Sequence, residues 1–143
     1  GVEHRLEYVR TVNEADYIND SKATNIDSVI VAINTYKQPI VLILGGFNKG
    51  ANFRLLLPHI KSSHVRDIVS YGDAGGQINT ALGDAVRSVQ VTDLSSAVKK
   101  AQLMAAPGDI VLLSPGCASF DEFSNFEERG NHFKSIIKSI AIS

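Results

Sequence analysis

After Arg10 the chain alternates short apolar runs with longer stretches in which apolar residues recur at helical spacing. Short runs suit strands, and helical spacing lays an apolar stripe along one side of a helix. The alternation therefore predicts a three-layer α/β domain with a mainly parallel sheet of about six strands. Leu6 to Arg10 and Asp16 to Asn19 flank the polar pair Asn13-Glu14 and predict a β-hairpin at one edge. Ile40 to Leu44, Asp67 to Ser70, Arg87 to Val91 and Ile110 to Leu113 predict buried parallel strands. Helices are predicted over Ser28 to Thr35, Phe53 to Ile60, Gln77 to Leu82, Ser95 to Ala105 and Asn125 to Ile140. In the last of these, Phe126, Phe133, Ile136, Ile137 and Ile140 fall on one stripe and are expected in the core.

Polar or glycine-rich turns follow several strands: Asn19-Asp20-Ser21, Gly45-Gly46, Tyr71-Gly72-Asp73 and Ser114-Pro115-Gly116. Ligands of open α/β sheets bind outside the carboxyl ends of the strands, so chemistry is expected at these turns.

Composition narrows the classes. The 143 residues suit one domain, and 44% hydrophobic content suits a folded one. A net charge of -1, from 14 basic and 15 acidic residues scattered along the chain, offers no basic field for DNA or RNA. The apolar runs are far shorter than the roughly 20 residues of a membrane helix, and the charged N-terminus is unlike a signal peptide. A cytoplasmic monomer without membrane contact is expected. A single cysteine, Cys117, excludes an internal disulfide, and the four dispersed histidines have no metal-ligand spacing, so no metal site is expected in this chain. The chain starts at Gly1 without Met, which predicts a piece of something longer.

In the first turn, Asp20 could hold a metal or a ribose hydroxyl while Lys22 and Thr24 meet an anion; equally, Ser21, Thr24 or Asn25 could cap the next helix with Lys22 solvated. After Gly45-Gly46 comes Lys49, a partner for a carboxylate or phosphate or else an exposed turn residue. This is no P-loop, and no Gly-x-Gly-x-x-Gly follows a strand, which argues against a dehydrogenase. In the third turn, Ser119 and the Phe120 N–H could bind a carboxylate at the helix entrance, or Ser119 or Asp121 could cap that helix. Cys117 is expected to be a small buried thiol. His4 and Arg5, just before the first strand, could face a phosphate, and Arg129 is expected in an exposed ion pair or orienting a loop.

Five segments, taken together, resemble one family: His4-Arg5-Leu6-Glu7; Asn19-Asp20-Ser21-Lys22-Ala23-Thr24-Asn25; Gly45-Gly46 with Lys49-Gly50; Leu113-Ser114-Pro115 with Cys117-Ala118-Ser119-Phe120-Asp121; and Asn125-Phe126-Glu127 with Arg129-Gly130. The chain is similar, over essentially its whole length, to the C-terminal domain of Mur ligases of the D-glutamate-adding kind. The resemblance implies a dinucleotide-binding-like, Rossmann-type topology over 1–143, as one domain of a three-domain enzyme whose UDP-sugar and central ATPase domains lie outside this chain. It implies an ATP- and Mg2+-dependent amide ligase of peptidoglycan precursor synthesis, in which the L-alanine carboxylate of UDP-N-acetylmuramoyl-L-alanine is phosphorylated and then attacked by the amine of D-glutamate. The isolated domain would be inactive.

By the same match Lys22, Thr24, Lys49, Ser119, Phe120 and Phe126 would surround D-glutamate, and His4, Arg5 and Asp20 would face the ATP or ADP nucleotide. Lys22 and Arg129 would be the catalytic residues of this domain. Gly116 stands where the family usually has Ala, and Phe47-Asn48 where it usually has a pair ending in Asp. A ligase adding another amino acid, or a stand-alone α/β module holding a small anion, are the competing expectations.

Overall fold

The computed structural model describes residues 2–142. Its elements run β1 (Glu7–Val12), β2 (Ala15–Asn19), α1 (Ile26–Thr35), β3 (Ile40–Gly45), a 3-10 turn (Phe53–Leu56), α2 (Leu57–Ser62), β4 (Val65–Tyr71), α3 (Gly75–Leu82), β5 (Arg87–Gln90), α4 (Leu94–Met104), β6 (Ile110–Leu113) and α5 (Phe126–Ser139). The six strands form one sheet in the order β1-β2-β6-β3-β4-β5, with β1 antiparallel to β2 and every other pairing parallel.

The sheet is covered on both faces. From β3, Ile40, Leu42 and Leu44 enter one apolar cluster, with α1, α2 and α3. Val41 and Ile43 enter the other, with α4 and α5. A strand buried on both sides can use an unbroken apolar run, which is why Ile40 to Leu44 shows no alternation.

Several expectations shift for local reasons. The hairpin turn is as expected: Asn13 and Glu14 have φ of 51° and 64°, the left-handed pair that a two-residue turn requires. The helix expected over Phe53 to Ile60 is divided. Pro58 has no N–H and fits the first turn of a helix, so the α-helix starts at Leu57 and the preceding residues wind more tightly. The strand expected to be buried at Arg87 to Val91 is instead the exposed edge, with both ends of β5 in solvent, because β4 is its single neighbour. Asn25, Asp93 and Asn125 cap α1, α4 and α5, each accepting the backbone N–H three residues on. The open choice of cap for α1 thus falls on Asn25, and Ser119 and Asp121 do not cap α5.

The chain passes from β2 over the place later taken by β6, lays down β3, β4 and β5, and returns to insert β6 between β2 and β3. The direction of strand addition reverses at β3 and β6, so their carboxyl ends mark the topological switch point. Phe47 and Ala118, on the turns leaving these strands, bond to each other through N–H···O contacts of 2.8 and 3.1 Å. No helix among the described residues is long and apolar enough to cross a membrane.

Candidate functional site

The turns after β2, β3 and β6 meet at the switch point. The Gly116 N–H donates to Ala23 O at 2.8 Å, and the Asp20 N–H donates to Leu113 O at 2.7 Å, joining the first turn to the third. Two clefts open there. One, of about 680 Å³, is lined by Thr24, Asn25, Lys49, Leu55, Gly116 and Cys117 among others. The second, of about 320 Å³, is lined by Arg5, Leu6, Asp20, Lys22, Asn25 and Ser28 among others. Asn25 belongs to both. A larger open groove of about 1000 Å³, between the 3-10 turn and α3, contains none of the expected site residues.

In the first cleft Lys49 and Thr24 are exposed, and the Lys49 ammonium lies 4.9 Å from the centre of the Phe120 ring. Phe120 is itself 57% exposed, so the ring braces the cation without hiding it. Ser119 is buried, and its carbonyl accepts the N–H groups of Glu122 and Phe123, at 3.2 and 2.8 Å. It therefore sits in a turn of its own and not at the entrance of α5, which starts at Phe126. The Phe126 ring meets His4 edge-on at 6.0 Å.

The structure redistributes several expected roles. Lys22, expected beside Thr24 at the amino acid, is exposed on the second cleft with Arg5 and Asp20. His4, expected to face a phosphate, is buried: its Nδ1 pairs with Asn19 Nδ2 at 2.9 Å and its backbone N–H donates to Glu7 Oε1 at 3.1 Å. A Cβ on Gly130 would collide with that ring, so the glycine is what lets His4 pack against α5. Asp20 is also buried, with Oδ1 accepting the Leu6 N–H at 3.0 Å and Oδ2 accepting Ser114 Oγ at 2.7 Å. Burial raises its pKa against the lowering effect of these hydrogen bonds and of Arg5.

Arg129 departs furthest from expectation. In place of an exposed ion-pair residue, the structure shows a guanidinium with no accessible surface, so the expected catalytic role fails on access: it cannot touch a substrate. Its Nε donates to Ser21 Oγ at 2.9 Å, Nη2 to Ser21 O at 2.7 Å and Nη1 to Cys117 O at 2.9 Å. It orients loops, the other role considered for it. Ser21 Oγ donates onward to Phe126 O at 2.7 Å. Cys117 is a buried thiol, pushed up to about 12 by burial, which leaves no thiolate at neutral pH.

Sequence reasoning passed over Asn19, Ser114 and Gly46 as individual site residues. Asn19 lies within the polar turn, where its side chain bonds both His4 and Glu7, at 2.9 and 3.0 Å. Gly46 has φ of 125°, and a Cβ there would lie 2.5 Å from Ala118 O, so the paired glycines were the available signal of a close approach.

Residues 4–117 match the family model described as Mur ligase, glutamate ligase domain. The chain belongs to the Mur ligase family. It is 46% identical, over 94% of its length, to the UDP-N-acetylmuramoylalanine--D-glutamate ligase of Chlamydia caviae and covers 32% of that protein. It is 44% identical, over 98% of its length, to the ligase of the same name from Clostridioides difficile and covers 31% of it. The chain thus spans about a third of the length of these curated relatives. Among solved structures, the bifunctional folylpolyglutamate synthase/dihydrofolate synthase of Yersinia pestis superimposes with a TM-score of 0.68 at 16% identity, over 96% of this chain and 32% of that one. The UDP-N-acetylmuramate-alanine ligase of Thermotoga maritima gives 0.64 at 14% identity, over 97% and 31%. These two show that the fold is shared.

Proposed function

We propose that this Mur ligase domain binds D-glutamate and the edge of ATP as the C-terminal domain of a cytoplasmic three-domain ligase, one that joins D-glutamate to UDP-N-acetylmuramoyl-L-alanine in peptidoglycan precursor synthesis. The observation that carries the reading is the pair of adjoining clefts at the switch point, sharing Asn25: one presents Lys49 and Thr24, the other Arg5 and Lys22. An amino acid and a nucleotide that react through one acyl phosphate must lie side by side, and two neighbouring cationic clefts suit that need. The names and 42–47% identities of relatives such as those from Chlamydia abortus and Salinibacter ruber support D-glutamate.

In this reading Lys49 meets a carboxylate of D-glutamate, held over Phe120, while Thr24 offers a hydroxyl across the cleft. Arg5 and Lys22 meet nucleotide phosphates. Both Asp20 oxygens already accept a hydrogen bond, so a ribose hydroxyl would use a remaining lone pair of that carboxylate. ATP supplies the phosphoryl group that activates the acceptor carboxylate. In this reading Mg2+ would be held by ATP phosphates and by the rest of the enzyme, since the one carboxylate lining the second cleft, Asp20, already accepts two hydrogen bonds. The domain's work is to bind and orient, and by closing to exclude water.

Coupled phosphate release by the full-length parent, with UDP-N-acetylmuramoyl-L-alanine, ATP and D-glutamate, tests this. Lys49→Ala removes a charge-assisted hydrogen bond worth about 1.5–3 kcal/mol, so the KM for D-glutamate should rise by roughly tenfold or more, and that of Ser119→Ala by a smaller factor. Absent turnover, or a KM indifferent to both substitutions, would instead favour a stand-alone anion-binding module.

A further inference from the structure

Lys49 sits on a segment that its own backbone does little to hold. The turn after β3 is tied down at both ends: Phe47 bonds to Ala118, and Asn52 caps the 3-10 turn through its Oδ1, which accepts the Arg54 N–H at 3.1 Å. Between these points, among the described residues, no backbone-to-backbone hydrogen bond reaches Asn48, Lys49, Gly50 or Ala51. Ala51 rests against the core, but Asn48, Gly50, Ala51 and Asn52 line both the cleft that holds Lys49 and the groove of about 1000 Å³, so the segment is a thin wall between two open spaces. A Cβ on Gly50, whose φ is 92°, would meet no atom within 4 Å.

One side-chain amide holds this wall. Asn48 Oδ1 accepts the Ala51 N–H at 2.7 Å, closing a short loop around Lys49 and Gly50, and Asn48 Nδ2 donates to Gln77 Oε1 at 2.6 Å. A backbone N–H can only donate, so the oxygen of Asn48 must face it and the nitrogen must face Gln77. Gln77 stands in the first turn of α3, whose Ile78 and Leu82 are fully buried. Just before that helix, the Ala74 N–H donates to Gly46 O at 2.9 Å. α3 therefore grips the turn twice, at Gly46 and, through Gln77, at Asn48.

We propose that Asn48 and Gln77 are positioning residues for Lys49: their clasp fixes the backbone from which the ammonium reaches the amino-acid cleft, so that less ordering is left for the ligand to impose. Gln77 lines the groove and not the cleft, so it acts through Asn48. This rests on the D-glutamate reading above, in which Lys49 meets a carboxylate.

The test compares the full-length parent with Gln77→Ala, Gln77→Glu and Asn48→Ala. Gln77 is exposed and alanine is the better helix former, so Gln77→Ala should fold. The Lys49 side chain lies over the Phe120 ring, whose ring current shifts the resonances of the lysine ε-CH2 group, and Phe120→Leu supplies the unshifted reference. In Gln77→Ala and Asn48→Ala these resonances should move most of the way to that reference. In Gln77→Glu, whose carboxylate can still accept from Asn48 Nδ2, they should stay at the wild-type position. The KM for D-glutamate should rise about fivefold in Gln77→Ala and in Asn48→Ala, while that for ATP stays within about twofold. Added to Lys49→Ala, Gln77→Ala should raise the KM no further, because its effect passes through that lysine.

Lys49 resonances, or a KM for D-glutamate, left at wild-type values in both Gln77→Ala and Asn48→Ala would overturn the proposal. So would equal rises in the two KM values, or an undiminished effect of Gln77→Ala in the Lys49→Ala background, since either marks a general loosening of the domain. If Asn48→Ala does not fold, Gln77→Ala decides by the same readouts. If wild type turns over no D-glutamate, the functional reading fails and the KM comparison with it, while the Lys49 resonances still judge the clasp.

Discussion

Gly130 shows how one missing methyl group can shape a site. It lies inside α5, where glycine costs about 1 kcal/mol of helix propensity relative to alanine. The His4 ring fills the space a Cβ would take, and Asn19 Nδ2 stands 3.0 Å from the same point. Gly130→Ala should therefore destabilise the domain by roughly 2 kcal/mol, because overpacking outweighs the gain in propensity. Urea unfolding measures this, and an unchanged or raised midpoint would mean that His4 moves aside freely. Cys117 belongs to the same scale: its buried thiol should stay unreactive toward alkylating agents until the domain unfolds.

At the scale of elements, the hairpin turn is the part least suited to its own residues. Glu14 has φ of 64°, a left-handed conformation that costs a non-glycine residue about 1–2 kcal/mol. Glycine there loses part of that gain to the entropy of the unfolded chain, so Glu14→Gly should raise stability by about 0.5–1 kcal/mol, readable as a higher thermal midpoint. The turn lies at the amino end of β2, away from Asn19, so ligand binding should not change. How α5 is used is the contrasting case. Its apolar stripe was readable from Phe133 and Ile137, which are buried in the core, but Arg129 one turn earlier joins the same buried face, and its composition gave no sign of that.

Over the whole molecule the two ends of the sheet divide the work. The carboxyl end carries the clefts, and the amino end carries an ion network in which buried Asp67 accepts from Arg66 Nε at 2.9 Å and from Arg87 Nε at 2.7 Å, while Arg66 also reaches Asp109 at 2.8 Å. Burial alone would raise the pKa of Asp67, but the hydrogen bonds and charges of both arginines outweigh it and hold the carboxyl below its usual range. A depressed carboxylate contributes stability that is present above its unfolded pKa of about 3.9 and is lost as pH falls through the folded value. Asp67→Asn should thus cost about 1–3 kcal/mol near pH 7, discounted for the solvent around both arginines, and the gap to wild type should narrow below about pH 4. A gap constant down to pH 3, measured by denaturation across pH, would sink this account. Asp20 has the opposite sign: its raised pKa makes the carboxylate a cost that acid relieves.

Local rules determined a good deal of this protein. The unbroken run of β3, the hairpin around Asn13-Glu14, the caps at Asn25 and Asn125 and the small-residue turns all follow from periodicity, left-handed φ and capping chemistry, which act between residues close in sequence. The five segments in order carried the family. Tertiary structure alone decided that β5 is an edge, that Lys22 turns toward Arg5 and away from Thr24, that His4 and Asp20 are buried, and that Arg129 lies beneath the turns with no surface. The reason is the return of β6 between β2 and β3: turns far apart in sequence are brought into contact by that insertion, and no local pattern records which side chains meet there.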